Sequence, residues 1–379
     1  MTRSADAIVI GGGIVGMFVA WHLAKRGAAV TVLDRVGVGS GATSVQPGGV
    51  RTQWTAPETC RMALESRAFY DEAESVLQPP RSLEFDECGY AFIASKPETL
   101  AALQESVDRQ RALGVPSAMV SPAELAELVP GLDPDTVCGG AYNARDGYFG
   151  RPAAVVTAVE QAARRLGTTV LVQEVTAIRR DRAQWTVRTG DGSELQADHV
   201  VLAAGADSAP LAAPLGLVLP VRPEPRYLFY SNRIAPWLVR PLCVFQDEHF
   251  AVKHLADGSV LAADLRLGLD GTLDENGWRD LVTWKARQLV PSLEYVRYPV
   301  MVAGYYDVTP DAQLIVGAVD GLPGLSVACG MNGRGLMLAP SVGRMVAEEL
   351  LGEAGPVPET LSPHRFSGNR AFAGERQVI

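Results

Sequence analysis

Three glycines carry the first chemical signal in the chain. Gly11, Gly13 and Gly16 of IVIGGGIVG stand in G-x-G-x-x-G spacing, directly after an apolar run and directly before a helical pattern. In that setting the first glycine permits a tight turn, the second lets the backbone approach a pyrophosphate, and the third lets the helix lie close on the strand. The amides of Ile14 and Val15 then fall at a helix N-terminus, whose unpaired N–H groups and positive dipole end favour phosphate. Asp34 ends the next strand, where a carboxylate accepts hydrogen bonds from an adenosine ribose, and Arg35 follows it. A glycine-rich turn and a surface aspartate would produce the same letters, but the strand–turn–helix order is the context that the dinucleotide fingerprint requires. The fingerprint alone does not separate FAD from NAD.

The segment SGATSVQPGGVR, Ser40 to Arg51, points to FAD. NAD-binding units usually enter a helix here. A second loop of small and hydroxyl residues (Ser40, Gly41, Ala42, Thr43, Gly48 and Gly49) suits a longer ligand that needs more amide donors beyond its pyrophosphate. A third loop, CGMNGRG, runs from Cys329 to Gly335 and precedes a long helix beginning with Leu336 and Met337. Its Gly330, Asn332, Gly333, Arg334 and Gly335 could aim N–H groups at a flavin ring, where reduction places negative charge. Arg51 and Arg334 come from the two loops expected to border that ring, and a guanidinium is the cation best shaped for a carboxylate. Tyr305 and Tyr306 could form an aromatic wall, with Gln53, Asn332 and His254 as further polar candidates. His249 and His254 have no cysteine or carboxylate at ligand spacing, so no metal is expected. A G-x-S-x-G elbow is missing, which leaves serine hydrolase chemistry without support.

These loops need a scaffold. Ala7 to Ile10, Ile14 to Lys25 and Ala28 to Leu33 read as strand, helix and strand, a βαβ unit. Helices are expected over Pro57 to Leu77 and Arg151 to Leu166, then a strand from Thr169 to Ile178 and a hairpin turning at Gly190, Asp191 and Gly192. From Val221 to Tyr306 the strand-like runs HFAVKHL and SVLAADLRL, with many aromatics and prolines, mark a second domain. The pattern predicts an α/β fold: a Rossmann-type FAD-binding domain with a parallel sheet and β-meander, plus an α+β substrate domain with a mostly antiparallel sheet. The expected segments are 1–75, 145–220 and 307–365 for the first domain, 76–144 and 221–306 for the second, and 366–379 as a tail. The Pro-rich stretch beyond Gly352 is expected to be poorly ordered.

At 379 residues, 47% of them apolar, the chain can bury two cores. The formal charge of -9, from 43 acidic and 34 basic residues without long runs of one sign, argues against a nucleic-acid partner. The five scattered cysteines lack a C-x-x-C pair and fit a reducing compartment. With no signal-peptide pattern and no apolar stretch near the ~20 residues needed to span a bilayer, a cytoplasmic protein is expected. The sequence leaves the oligomeric state open.

Taken together, IVIGGGIVG, LDRVGVGSGATSVQPGGVR, HVVLAAGADS, GYYDVTPDAQLIVG and GLSVACGMNGRGLMLAPSVGRMVAEELL resemble the D-amino-acid, glycine and sarcosine oxidase family of FAD-dependent enzymes, over nearly all of residues 7–366. The resemblance implies a substrate held between the flavin ring and an antiparallel sheet. It also places Val175 at the adenine, Ala204 and Gly205 near the pyrophosphate, Gly333, Gly335 and Met337 at the ring, and Tyr306 at the substrate. Some members attach FAD through a cysteine where Gly304 stands, others through a histidine where Val45 stands, so noncovalent FAD is expected. A carboxylate-holding lysine of the sarcosine oxidases is replaced by Met337, and their oxygen-activating lysine corresponds loosely to Arg266. The implied reaction is hydride transfer from the carbon bearing a neutral amine to flavin N5, followed by imine hydrolysis, with O2 or another electron acceptor completing the cycle. Oxidation of a 2-hydroxy acid, or a flavin-holding subunit without turnover, are the alternatives.

Overall fold

The computed structural model describes residues 3–234, 238–266, 273–366 and 374–375. Strand Arg3–Ile10, helix Ile14–Lys25 and strand Val30–Asp34 form the expected βαβ unit, with Ala7–Ile10 parallel to Val30–Leu33. Parallel pairing continues outward to Thr169–Val172 on one side and through Glu194–Leu202 to Leu325–Cys329 on the other. Helix Ile14–Lys25 is buried over almost its whole length, packed against helix Gly335–Leu350 and helix Pro152–Arg165, so its apolar residues run all round instead of along one stripe. An antiparallel meander of Val175–Asp181 and Gln184–Thr189 joins the lower half of Glu194–Leu202, turning at the predicted glycines.

Two expected elements are divided. The stretch from Thr169 to Ile178 is two strands, because the chain changes partner: Gln173 N–H bonds the Asp34 carbonyl at 2.8 Å, and the Glu174 carbonyl accepts from Gly190 N–H at 2.8 Å. The helix expected over Pro57 to Leu77 breaks at Glu72 into Pro57–Asp71 and Ala73–Leu77, which leaves Val76 exposed.

A second eight-stranded sheet is assembled from distant stretches. Strand Tyr90–Ala94 lies parallel to Leu242–Phe245, and this pair joins an antiparallel group of Gly139–Asn143 and Ala118–Val120 on one side to an antiparallel group of Phe250–His254, Val260–Asp264, Arg222–Tyr230 and Val300–Val308 on the other. One face packs on helix Glu275–Leu289 through Phe229, Phe250, Val252, Ala262 and Trp278. The opposite face looks toward the first sheet.

Helix Gly335–Leu350 contains Pro340, which has no N–H to give the Leu336 carbonyl. The Tyr70 hydroxyl donates to that carbonyl instead, at 2.6 Å, and so fixes the first turn of the helix.

The expectation of disorder beyond Gly352 is corrected by burial. Leu361 is fully buried and its carbonyl accepts from Val316 N–H at 2.8 Å. Arg365 is buried and grips Asp311 through Nε at 2.7 Å and Nη2 at 3.0 Å. Removing one partner of such a buried pair leaves the other charge unsolvated, so Arg365→Met should cost about 3–5 kcal/mol of stability. A urea or thermal unfolding midpoint unchanged from wild type would show that the pair is dispensable. Residues 367–373 and 376–379 of the expected tail lie outside the described residues.

Candidate active site

The carboxyl ends of the parallel strands and the free face of the second sheet enclose a cavity of about 1050 Å3. Its lining includes Gly11, Gly13, Ile14, Val15, Asp34, Arg35, Ser40, Gly41, Ala42, Thr43, Gly49, Val175, Ala204, Gly205, Gly333, Gly335, Leu336 and Met337, all singled out from sequence. The cavity also takes in Arg51, Tyr305, Tyr306, Asn332 and Arg334.

The geometry of the dinucleotide turn is compatible with a pyrophosphate. Helix Ile14–Lys25 starts at Gly13 with no acidic residue in its first turn, and the Thr43 hydroxyl accepts from Ile14 N–H at 3.1 Å, tying the second loop to the helix start. Asp34 is held by Gly12 N–H on Oδ2 at 2.7 Å and by Val36 and Gly37 N–H on Oδ1 at 2.9 Å each. The Ser40 hydroxyl also lies 3.5 Å from Oδ1, so Oδ2, which takes only the Gly12 N–H, is the oxygen with a lone pair left for a ribose hydroxyl. Arg35 is exposed and pairs with Asp207 at 2.8 Å.

Two buried guanidiniums share one indole. Arg51 stacks 3.5 Å from the Trp54 ring centre and donates through Nη1 to the Gln53 carbonyl at 2.8 Å. Arg334 lies 5.4 Å from the same ring, with Nε donating to Met331 carbonyl at 3.1 Å and Nη2 to Ala312 carbonyl. Its Nη1 is buried with no hydrogen-bond partner among the described residues. Burial pushes both arginines down to about 10, the Glu375 carboxylate nearby opposing the shift, so both are cations at neutral pH. Glu375 is itself buried and accepts from Thr55 and Ala56 N–H at 3.0 and 3.1 Å.

From the second sheet, Tyr306 and Gly304 project on the same face as Arg226, which sits 5.0 Å from the Tyr306 ring and 2.5 Å from Glu224. Burial raises the Tyr306 phenol above its usual range, so it stays protonated. A Cβ on Gly304 would lie 2.4 Å from Val45 Cγ2. The two positions associated with covalent flavin therefore meet, and the valine fills the space that a side chain at 304 would need.

Several predicted positions do not line the cavity. Gln53 is fully buried, its amide donating to the Tyr90 carbonyl and to Asp146, both at 3.2 Å. His254 Nδ1 accepts from Leu238 N–H at 3.1 Å, a structural contact. Gly16, Gly48 and Gly330 stand behind the lining and pack closely against Gly11, Phe149 and Thr309. Asn332 reaches the cavity wall, but its side chain is committed to the segment after strand Val300–Val308: Oδ1 accepts from Thr309 N–H at 3.0 Å and Nδ2 donates to the Thr309 hydroxyl at 3.1 Å. Arg266 is half exposed, paired with Asp264 at 2.9 Å and 5.5 Å from Trp278, and does not line the cavity. Sequence reasoning missed Trp54, Tyr90, Arg226 and Lys253, all on the lining. Trp54 was within reach, three residues beyond Arg51; the others depend on which sheet face closes the cavity.

Residues 6–349 match the family described as FAD dependent oxidoreductase (DAO), and the chain belongs to it. A glycine oxidase of Bacillus licheniformis is 29% identical over 387 residues, spanning 100% of this chain and 99% of the relative. The FAD-dependent oxidoreductase domain-containing protein 1 of Bos taurus is 27% identical, across 98% of this chain and 86% of its own. The crystal structure of L-proline dehydrogenase from P. horikoshii superposes with a TM-score of 0.89 at 27% identity, over 97% of this chain and 99% of that one. Glycine oxidase from Geobacillus kaustophilus follows at 0.86 and 26%, over 96% and 99%. The protein is an FAD-dependent oxidoreductase of the amino-acid oxidase type. Among the described residues no helix is long and apolar enough to cross a membrane, and no group of three or more His, Cys, Asp or Glu could hold a metal ion.

Proposed function

We propose that this enzyme oxidises the C–N bond of an amino acid or N-substituted glycine, with FAD held noncovalently. The observation that carries the reading is the pair of buried guanidiniums around Trp54, inside the same cavity as the dinucleotide turn. A buried cation pair in a largely apolar cavity is suited to a substrate carboxylate, and the fork of a guanidinium fixes its orientation. When bound, FAD supplies a two-electron acceptor at N5 for the hydride of the substrate's C–H, and the resulting imine hydrolyses.

The chain's own groups bind and orient. Gly11, Gly13 and the amide of Val15 would hold the pyrophosphate, with Ile14 N–H engaged by Thr43 and Ala204 and Gly205 beside it; Asp34 would hold the ribose, and Val175 the adenine. Ser40–Thr43, Gly49, Gly333, Gly335 and Met337 would flank the rest of the cofactor. Arg51 and Arg334 orient the carboxylate, and Tyr306 and Trp54 exclude water from the reacting carbon. We infer that 1–75, 145–220 and 307–365 form the cofactor domain and 76–144 with 221–306 the substrate domain. The thiols, none of them in a disulfide, support a cytoplasmic setting.

An anaerobic visible spectrum tests the reading. Adding glycine, sarcosine, and D- and L-amino acids in turn should bleach the oxidised flavin band with at least one amine, and acid precipitation should leave a colourless pellet and yellow supernatant. Bleaching by 2-hydroxyglutarate alone would replace the amine reading with C–O oxidation, and a yellow pellet would overturn noncovalent binding.

A further inference from the structure

Strand Phe250–His254 alternates between two environments. Phe250 and Val252 join the apolar layer around Trp278, whereas Ala251 and Lys253 point to the cavity side, Lys253 directly across from Leu261. Lys253 is 1% exposed, yet it lies on the cavity lining. Its ammonium donates to Cys88 Sγ at 3.1 Å and sits 2.7 Å from the Tyr148 ring centre. Among the described residues no carboxylate stands within ion-pair distance of it. Burial raises the Cys88 thiol above its ordinary value, so the sulfur is neutral near pH 7 and supplies no counter-charge. The nearby carboxylate, Asp86, is paired with Arg240 at 3.3 Å.

Other buried cations in this sheet and the helix packed on it are treated differently. Arg226 has Glu224 at 2.5 Å, and Lys285 has Asp264 at 2.6 Å. An ammonium taken out of water without an anion is costly, and the Tyr148 ring face offsets only part of the penalty. Burial pulls Lys253 down to about 8, which still leaves it mostly protonated at neutral pH. Lys253 is therefore a lining residue whose charge is uncompensated, its ammonium resting on Cys88 and the Tyr148 ring just behind the lining, while Tyr90, Leu228, Leu261 and Ala263 provide an apolar wall suited to a hydrocarbon spacer.

We propose that Lys253 is a second anion anchor and that the substrate is an amino acid bearing two carboxylates, one directed to Arg51 and Arg334 and the other to Lys253. The proposal rests on the amine-oxidation reading and names its substrate class. A dicarboxylate fills both cationic positions at once, so it gains over a monocarboxylate by intramolecular engagement of the second site.

The test has a binding arm and a turnover arm, both on purified holoprotein. Flavin absorbance is titrated with propionate, succinate and glutarate. At least one dicarboxylate should bind about tenfold or more tightly than propionate, and Lys253→Met should erase that preference while leaving propionate affinity within twofold. Lys253→Gln, which keeps a polar group of similar reach, serves if the methionine variant does not fold and should also lose the preference. In the turnover arm, kcat/KM for aspartate, glutamate or N-(carboxymethyl)glycine should fall tenfold or more in the variant, with glycine, sarcosine or proline little changed. Equal binding of mono- and dicarboxylates by wild type, or a preference that survives both substitutions, overturns the second anchor. Bleaching by monocarboxylic amines alone would sink this proposal and leave amine oxidation standing, whereas no bleaching by any amine removes both.

Discussion

Arg51→Met is expected to lower kcat/KM for the amine substrate by about 30-fold to several thousand-fold, the equivalent of about 2–5 kcal/mol. The guanidinium is fully buried with its carbon 3.5 Å from the Trp54 ring centre, and Nη1 is tied to the Gln53 carbonyl. Its orientation is therefore set before substrate arrives, which is what makes an anchor effective in positioning a reacting carbon. Methionine keeps an unbranched apolar stem but ends where the arginine Nε stands, so it removes the charge, the fork and the stacked group together. Arg51→Lys should recover part of the activity, because an ammonium restores the charge but not the two-pronged geometry. Arg334→Met is a poorer probe: its guanidinium also closes the turn through the Met331 and Ala312 carbonyls, so the variant should lose flavin affinity and stability together with activity. Single-turnover reduction in a stopped-flow instrument separates these effects. An Arg51→Met enzyme that is reduced with wild-type constants would remove Arg51 from the carboxylate site.

The cofactor half was legible because its signals are local. Gly11, Gly13 and Asp34 sit within one βαβ unit, and the helix between them is an almost continuous apolar run bounded by Gly13 and Gly27. The substrate half was much less legible, for a topological reason. Strand alternation shows that Lys253 and Val252 face opposite ways, but not which face looks into a cavity. That is decided when Tyr90–Ala94 pairs with Leu242–Phe245, a contact between segments far apart in sequence. The same blindness sent the loose lysine correspondence to Arg266, whose side chain is drawn toward Asp264 and Trp278 on the far side. Polar residues inside tight turns misled in another way. Asn332 and Gln53 have the right chemistry and sit in the right loops, yet buried backbone groups claimed their hydrogen bonds first. Arg365 shows the converse, since a charged residue in a polar tail carries no mark of the buried Asp311 that will receive it.

Gly11→Ala should yield protein without a flavin band, with FAD affinity reduced about 100-fold or more. Two causes add at this residue. Gly11 has φ +111, a conformation that residues with a Cβ rarely adopt, and that Cβ would lie 2.3 Å from the Ala203 carbonyl oxygen. Strain of this kind costs on the order of 3 kcal/mol even before the clash with backbone, which cannot swing aside as a side chain could. That energy corresponds to roughly two powers of ten in a dissociation constant if the turn relaxes out of its binding geometry. Gly13→Ala separates space from strain. Gly13 has ordinary φ -69 and ψ 176, and its Cβ would meet only Thr43 Oγ1 at 3.4 Å, so alanine fits the protein. The methyl would instead stand where the backbone is bare toward the cavity, so Gly13→Ala should keep the thermal stability of the wild-type apoprotein and still bind FAD poorly. Gly11→Ala should fall below that apoprotein stability as well. Fluorescence titration of the stripped proteins with FAD, read beside their melting temperatures, gives the comparison; wild-type affinity in both variants would mean that the pyrophosphate does not rest on this turn.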